Sequence, residues 1–354
     1  MFDKRYEYWP TMAFYWPLYI WGPWQAIRAG HPCFFSALNP GMEGGGIGFG
    51  SKYEIGQMVP DRYNPATVRI LPEVSENEAN QLWDQLCKEC LKNGRGNELS
   101  PFVAKPDIGY RGRLVKMVRS KEELAEYRRK HPLPMLLQEK ISLSEEYGVL
   151  YFRRSGAQHG TVTSLTTKEF LTVTGDGQQT IADLLARHPR GSTQIARLKR
   201  EIKGELNRIP AAGETVALGE IGNHNLGTRF IDARELISPA LTHRFDQLAD
   251  EMPGFCYGRF DLKAESLEAV ARGDFMILEI NGALAEPTHL YDAEKNNYFT
   301  AVKDILAHWQ IIGTLSRENM RRGAKPMSLV AMLKKLWWFR DYAKLVKRLA
   351  TESS

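Results

Sequence analysis

The spacing of apolar residues changes repeatedly along the chain, and each change marks an element. Residues 53–94 read as a helix, a proline-punctuated strand ("PATVRIL"), and a second helix, "SENEANQLWDQLCKECLKNG". A Ser75–Glu78 capping box opens that second helix and Gly94 stops it. Two apolar runs in residues 101–118, parted by a Gly/Asp-rich turn, predict a strand hairpin. Ser120 and Glu123 cap a further helix that ends at "HPLP". "MLLQEKI" and "YGVLYFRR" then read as two strands, and "KEFLTVTGDGQQTIADLLARH" as a strand, a GDG turn and a helix capped by Thr180. "GFCYGRFDLKA" and "DFMILEINGAL" read as adjacent buried strands, and an amphipathic helix, "YFTAVKDILAHWQII", leads into a basic tail. With no internal repeat, this alternation predicts an α+β (mixed α/β) enzyme rather than a bundle or sandwich.

The two ends of the chain depart from that pattern. Residues 9–27, "WPTMAFYWPLYIWGPWQAI", carry no charge and are long enough to span a bilayer. Three prolines and four tryptophans argue against one continuous spanning helix, and aromatic residues of this kind favour the headgroup boundary. The segment therefore reads either as packed over the protein's own core or as a monotopic membrane contact. In "MSLVAMLKKLWWFRDYAKLVKRLA", Leu329, Leu333, Leu336, Val346 and Leu349 recur at helical spacing, with Lys334, Lys335, Lys344, Lys347 and Arg348 among them. Trp337 and Trp338 complete the pattern of a basic interfacial helix.

Charge sharpens this contrast. The net charge is +5, yet residues 321–354 hold nine Lys/Arg against two Asp/Glu, a local +7 that leaves −2 for the rest. A body this acidic is not a nucleic-acid binder. Composition is otherwise that of a globular protein, with 43% hydrophobic and 25% charged residues, enough apolar material for a substantial core. Four cysteines are too few for a disulfide framework, and no cleavable signal pattern is visible. The chain is thus expected in the cytoplasm, with peripheral attachment to the inner face of the membrane as the reading of its ends. Cys87 and Cys90 form a lone CxxC within a helix, which reads as a helical face rather than a zinc site.

The candidate chemistry lies in the acids of the late strands. Asp261 sits mid-strand in "GRFDLKA", while Glu279 and Asn281 stand two apart, on one face of "ILEINGA". Acids in strands this apolar need a partner or a cation. Two carboxylates and a carboxamide form a hard oxygen set suited to Mg²⁺ held together with phosphates. Lys105 closes the strand "PFVAK", and the glycines of "KPDIGYRG" let backbone amides approach phosphate oxygens. The densest glycine run, "PGMEGGGIGFGSK", lacks the GxxxxGK[ST] order of a P-loop and reads as a mobile or closely packed loop lining an acceptor site.

In order along the chain, "KPDIGYRG", "LLQEKI", "GRFDLKA" and "ILEINGA" resemble the ATP-grasp superfamily, in particular its D-alanine–D-alanine ligase and cyanophycin synthetase branches; "TGDGQQTI" is similar to an insert of the latter. The resemblance covers residues 51–314. It implies two α+β subdomains gripping ATP, and a carboxylate–amine ligase that works through an acyl phosphate with ATP and Mg²⁺, Mn²⁺ serving as an alternative. It implies Lys52 and Lys105 on phosphate, with Asp107, Gly109, Arg111 and Gly112 in a loop over the triphosphate. Lys168 is implied as a further phosphate contact. Glu139, Lys140 and Ile141 would read adenine and Glu146 ribose; Asp261, Glu279 and Asn281 would hold metal; Arg259 would steady the acyl phosphate; and Asn225 would cradle substrate. The organisation expected is 1–50 an aromatic segment, 51–150 and 151–315 the two subdomains, and 316–354 the tail. About fifty residues precede Lys52, too few for the family's usual first domain. The partners implied are small carboxylates and amines, with no nucleic acid and with homodimerisation left open. An ATP-grasp kinase and a non-catalytic nucleotide-binding scaffold are the alternative functions.

Overall fold

A computed structural model of the chain describes residues 6, 9–94, 101–109, 112–202, 204–219, 222 and 227–352. The chain opens with α1 (Thr11–Phe14), α2 (Leu18–Ala29) and the short α3 (Lys52–Gly56). A first antiparallel sheet follows, formed by β1 (Thr67–Ile70), β2 (Phe102–Pro106), β3 (Lys116–Val118) and β4 (Met135–Glu139) in the order β1-β4-β2-β3. α4 (Glu76–Lys92) and α5 (Lys121–Lys130) cover one of its faces. Alternation decides which side chains they bury: Phe102 and Ala104 join Trp83, Leu86 and Leu124 in that core, while Val103 and Lys105 point to the other side. The Ser75–Glu78 capping box forms as expected. Cys90 packs in this core with Cys87 beside it, the helical face that the spacing suggested.

The second sheet takes β5 (Glu145–Phe152), β6 (Thr161–Glu169), β9 (Arg229–Asp232), β10 (Tyr257–Ala264) and β11 (Phe275–Asn281), in the order β11-β10-β5-β6-β9. Between β6 and β9 the chain makes a two-stranded ribbon, β7 (Thr172–Thr174) with β8 (Thr215–Ala217), packed with α6 (Ile181–Arg187) and α7 (Ile195–Glu201). The single strand expected around "KEFLTVT" is thus two strands in two different sheets. α8 (Pro239–Asp250) and α9 (Leu267–Arg272) bury one face of the large sheet against Val149, Tyr151, Phe260 and Leu262. Its opposite face carries Glu146, Gly148, Thr166, Lys168, Arg259 and Asp261 and forms the floor of a cleft.

α10 (Tyr298–Arg321) and α11 (Leu329–Glu352) complete the chain. Element edges lie near two of the expected boundaries. β5 starts at Glu145 and belongs to the second sheet, so the change of sheet falls between β4 and β5, ahead of 150. α10 runs through 316 without a break, and the tail begins only after Arg321. Residues 1–50 also do not form a unit of their own. Gln25 of α2 is buried where the helix crosses α10 at Gly313, and its amide donates to Gln310 Oε1 at 2.7 Å.

Asn39 fastens this layer to the large sheet. Its Oδ1 accepts from the Cys256 and Tyr257 amides at 2.8 and 2.9 Å, and its Nδ2 donates to the Gly45 and Tyr257 carbonyls at 3.0 and 2.9 Å. The side chain is fully buried, so removing it leaves donors and acceptors that water cannot reach. Asn39→Ala is expected to lower the unfolding free energy by about 3 kcal/mol, read from the urea midpoint at unchanged m value.

Candidate active site

The two sheets face each other across a cleft of about 1230 Å³. From the first sheet come Lys105 and Gln138; from α3 comes Lys52; from the second sheet come Glu146, Lys168, Arg259, Asp261, Glu279 and Asn281. Strand register explains the second group. Asp261 stands opposite Glu279 and Arg259 opposite Asn281 on β10 and β11, and Asp261 stands opposite Gly148 on β5. The register slips by one residue after this pair, leaving Leu278 unmatched; the resulting bulge sits beside the acids. Gly148 gives the acids room, since a Cβ there would stand 3.1 Å from Thr288 Oγ1 and 3.7 Å from both Asp261 Oδ1 and Arg259 Cδ.

The acids are neutralised within the chain. Asp261 accepts from Arg259 Nη2 at 3.0 Å, Lys168 Nζ at 3.0 Å and Asn281 Nδ2 at 2.9 Å. Burial alone would push its carboxyl up, but Arg259 and then Lys168 outweigh burial and hold it well below the usual carboxylate range. Lys168 reaches Glu146 Oε1 at 2.6 Å as well, and its ammonium lies 5.5 Å from the centre of the Phe230 ring. Burial opposes the Lys168 charge, and Asp261 and Glu146 together more than restore it. Glu279 is paired directly with Lys52, the contact that ties α3 to the second sheet. Burial works against its ionisation too, and Lys52 brings the carboxyl below its ordinary value.

Lys105 differs from the other two lysines in having no carboxylate on it among the described residues. Its ammonium donates to Gln138 Oε1 at 2.7 Å, and Gln138 donates in turn to Thr67 Oγ1 at 2.9 Å. Burial, then repulsion from Lys52, lowers its pKa to about 8 against the pull of Glu279 and Asp107.

Other expected residues fall differently. Asp107 is buried and does not face the cleft as part of a loop over it: it accepts from Ser51 Oγ at 2.8 Å and from the Tyr53 amide at 3.0 Å, and its carbonyl accepts from the Lys52 amide at 3.1 Å. It thereby fastens the start of α3 and aims Lys52. Gly109 lies against Lys52, where a Cβ would come within 2.5 Å of Cε; Gly112 lines the cleft in a left-handed conformation. The Glu139 carboxylate accepts from the Ala66 amide at 3.1 Å, a contact that braces β4. Glu139, Lys140 and Ile141 all border the cleft. Arg111 and Asn225 lie outside the described residues. The glycine run is packed: Gly46 meets Gly282 closely, and Gly46, Gly48 and Gly50 line the cleft.

Two features went unread in the sequence. Gln138 is a polar residue in a strand buried at all five positions, the same signal that singled out Asp261. At the far end of the cleft Glu286 accepts from the hydroxyls of Tyr15 and, at 2.5 Å, Tyr291. No local pattern predicts a contact that spans 271 residues.

Among the described residues no group of three or more His, Cys, Asp or Glu side chains is gathered for a metal ion. The set at hand is two carboxylates and a carboxamide, which suits a cation that keeps other oxygen ligands, such as Mg²⁺ with phosphate. Removing Lys168 leaves two buried carboxylates short of a cation. Lys168→Met is expected to cost about 3–5 kcal/mol in urea unfolding, against less than about 1 kcal/mol for Lys121→Met in the exposed pair with Asp84.

No family model and no curated protein sequence matches the chain. Among solved structures it is similar to the D-alanine–D-alanine ligase of Bacillus anthracis, at 12% identity over 77% of this chain and 69% of that one, with a TM-score of 0.41. It is similar also to the bifunctional glutathione synthetase of Pasteurella multocida, at 15% identity over 72% of this chain and 35% of that one, TM-score 0.34. A third is the carboxyaminoimidazole ribonucleotide synthase of Aspergillus clavatus in complex with ATP, at 11% identity over 73% and 52%, TM-score 0.40. The chain thus spans between about a third and about two thirds of these proteins.

Proposed function

We propose that the chain is an ATP- and Mg²⁺-dependent ligase of the ATP-grasp kind, joining a carboxylate to an amine and releasing ADP and phosphate. The observation that carries this reading is the meeting of Lys52 and Lys105 with Arg259, Asp261, Glu279 and Asn281 across one cleft between two antiparallel sheets. In this reading the backbone of residues 139–141 takes the adenine edge and Glu146 the ribose hydroxyls. Lys52, Lys105 and Lys168 take phosphate oxygens. For Lys52 and Lys168 that means exchanging a carboxylate for a phosphate, which frees Glu279 and Asp261 for the metal as the lysines leave them.

Asp261, Glu279 and Asn281 would hold Mg²⁺, or Mn²⁺ in its place, which would neutralise the charge of the β- and γ-phosphates. The substrate carboxylate attacks the γ-phosphorus, ADP departs, and an acyl phosphate forms. The amine lone pair then attacks the acyl carbon, phosphate leaves, and the nitrogen gives its proton to solvent. Arg259, fixed by Asp261 and by the Glu286 carbonyl at 3.2 Å, is set to stabilise the oxygens that gain charge in both steps. Positioning and charge neutralisation suffice for such chemistry, with no side-chain nucleophile.

Turnover is expected to yield ADP and phosphate only when a carboxylate and an amine are both present, measured across a panel of each, including lipid-linked ones. Glu279→Ala and Lys105→Ala are expected to lower kcat by at least about a hundredfold. AMP and pyrophosphate as products would sink the proposal, and a stable phosphorylated product without amine would make the protein a kinase. Nucleotide affinity should also report on Lys105. The protonated form attracts phosphate and predominates below about pH 8, so affinity is level there. It falls by up to about tenfold per pH unit above that point as the proton is lost. Lys105→Arg, charged throughout, is expected to flatten the profile in isothermal titration.

A further inference from the structure

Two outward faces of the molecule are apolar. The first runs along α1 and α2: Met12, Trp16, Ile20, Trp24 and Ile27 recur every three or four residues and are 50–73% exposed. The other side of the same segment is committed to the protein, with Gln25 bonded to Gln310 and Ala26 and Ala29 packed toward α10. The second is the N-terminal half of α11, where Leu329, Val330, Leu333, Leu336, Trp337 and Trp338 are 43–68% exposed. Beyond them the outer surface of α11 turns basic, with Arg340, Lys344, Lys347 and Arg348 exposed. Both helices rest on one support: Ala26 and Ala29 of α2, Met332 and Phe339 of α11, and Ile312 and Leu315 of α10 share a hydrophobic cluster around Phe34.

Contiguous stripes of large exposed apolar side chains mark a contact surface. Charge identifies what covers them. Residues 321–354 carry +7 while the rest of the chain carries −2, so a two-fold contact that set α11 against α11 of a second copy would place like charge against like. An anionic surface complements it. Four of the exposed stripe residues are tryptophans, whose rings favour the boundary between acyl chains and headgroups. No helix among the described residues is long and apolar enough to cross a membrane, which leaves attachment in the plane of the interface.

We propose that the outer faces of α1–α2 and of α11 together seat the protein on an anionic lipid bilayer, with the tryptophans at headgroup depth and the basic half of α11 against lipid phosphate. Trp9, Phe14 and Tyr15, on the inner side of the seated segment, line the cleft, so the lipid contact and the far end of the site are two sides of one stretch of chain. The proposal does not depend on which reaction the site performs.

The test is co-sedimentation of the full chain with vesicles of phosphatidylcholine alone and of phosphatidylcholine with phosphatidylglycerol. Wild type is expected to pellet with the anionic vesicles, less so as salt is raised. Ile20→Ser/Trp24→Ser and Leu333→Ser/Trp337→Ser, all at exposed positions, are expected to weaken binding at least tenfold each while circular dichroism and the melting curve stay unchanged. Lys344→Gln and Lys347→Gln are each expected to weaken it about fivefold. Equal binding by all variants, or binding to neutral vesicles that salt does not affect, would overturn the proposal. So would a discrete dimer in light scattering that the serine variants dissolve, since the stripes would then belong to a protein contact.

Discussion

A carboxylate in the interior of an apolar strand is costly unless cations and donors surround it, and Asp261 imposes that constraint on most of the second sheet. Its partners come from three strands: Arg259 from β10, Lys168 from β6 and Asn281 from β11. Slipping β6 or β11 by one residue would turn Lys168 or Asn281 to the opposite face, against α8 and α9, and strip the buried carboxylate of that partner. The register that packs Phe260 and Leu262 into the core is therefore the register that assembles the polar face. Core and site are two outcomes of one alternation.

The same constraint acts between the sheets through Glu279 and Lys52. Lys52 sits on a helix of only five residues, too short to hold itself, and its direction is set by Asp107 from the end of β2. Ser51, Asp107 and Gly109 thus shape the environment of an ammonium that reaches a carboxylate on β11. Charge pairs of this kind can be exchanged for other charges at little net cost, because each group stays neutralised throughout. Apolar contacts in the same place could not be exchanged in this way.

The acids of β10 and β11 were legible because burial penalties are local and severe: an Asp or Glu in a run of isoleucine and phenylalanine announces a partner without naming it. Helix starts were legible for a similar reason, since Ser75, Ser120 and Thr180 satisfy orphan amides within three residues. What the sequence did not yield depends on contacts made far along the chain. Asp107 looks like a loop residue until Ser51 and Tyr53 are brought to it, and nothing local to Glu139 announces that its carboxylate meets the Ala66 amide. β5 follows directly on the link after β4, with no composition change to mark the passage from one sheet to the other. α10 likewise runs on past 316 to Arg321 with no break to mark where the tail begins.

The chain ends explain why the charge is distributed so unevenly. Residues 9–38 and 298–352 form a third layer over the second sheet, held by Asn39, Gln25 and Asn319, whose amide donates to the Leu38 carbonyl at 2.8 Å. The inner side of this layer supplies Trp9, Phe14 and Tyr15 to the cleft, where Tyr15 joins Tyr291 in fixing Glu286. The outer side of this layer is apolar along α1, α2 and the first half of α11. Basic charge gathers on the later turns of α11, where Lys344, Lys347 and Arg348 stand clear of the buried Tyr342, Val346 and Leu349. The +7 of the tail and the uncharged stretch from Trp9 to Ile27 are therefore complementary parts of one layer.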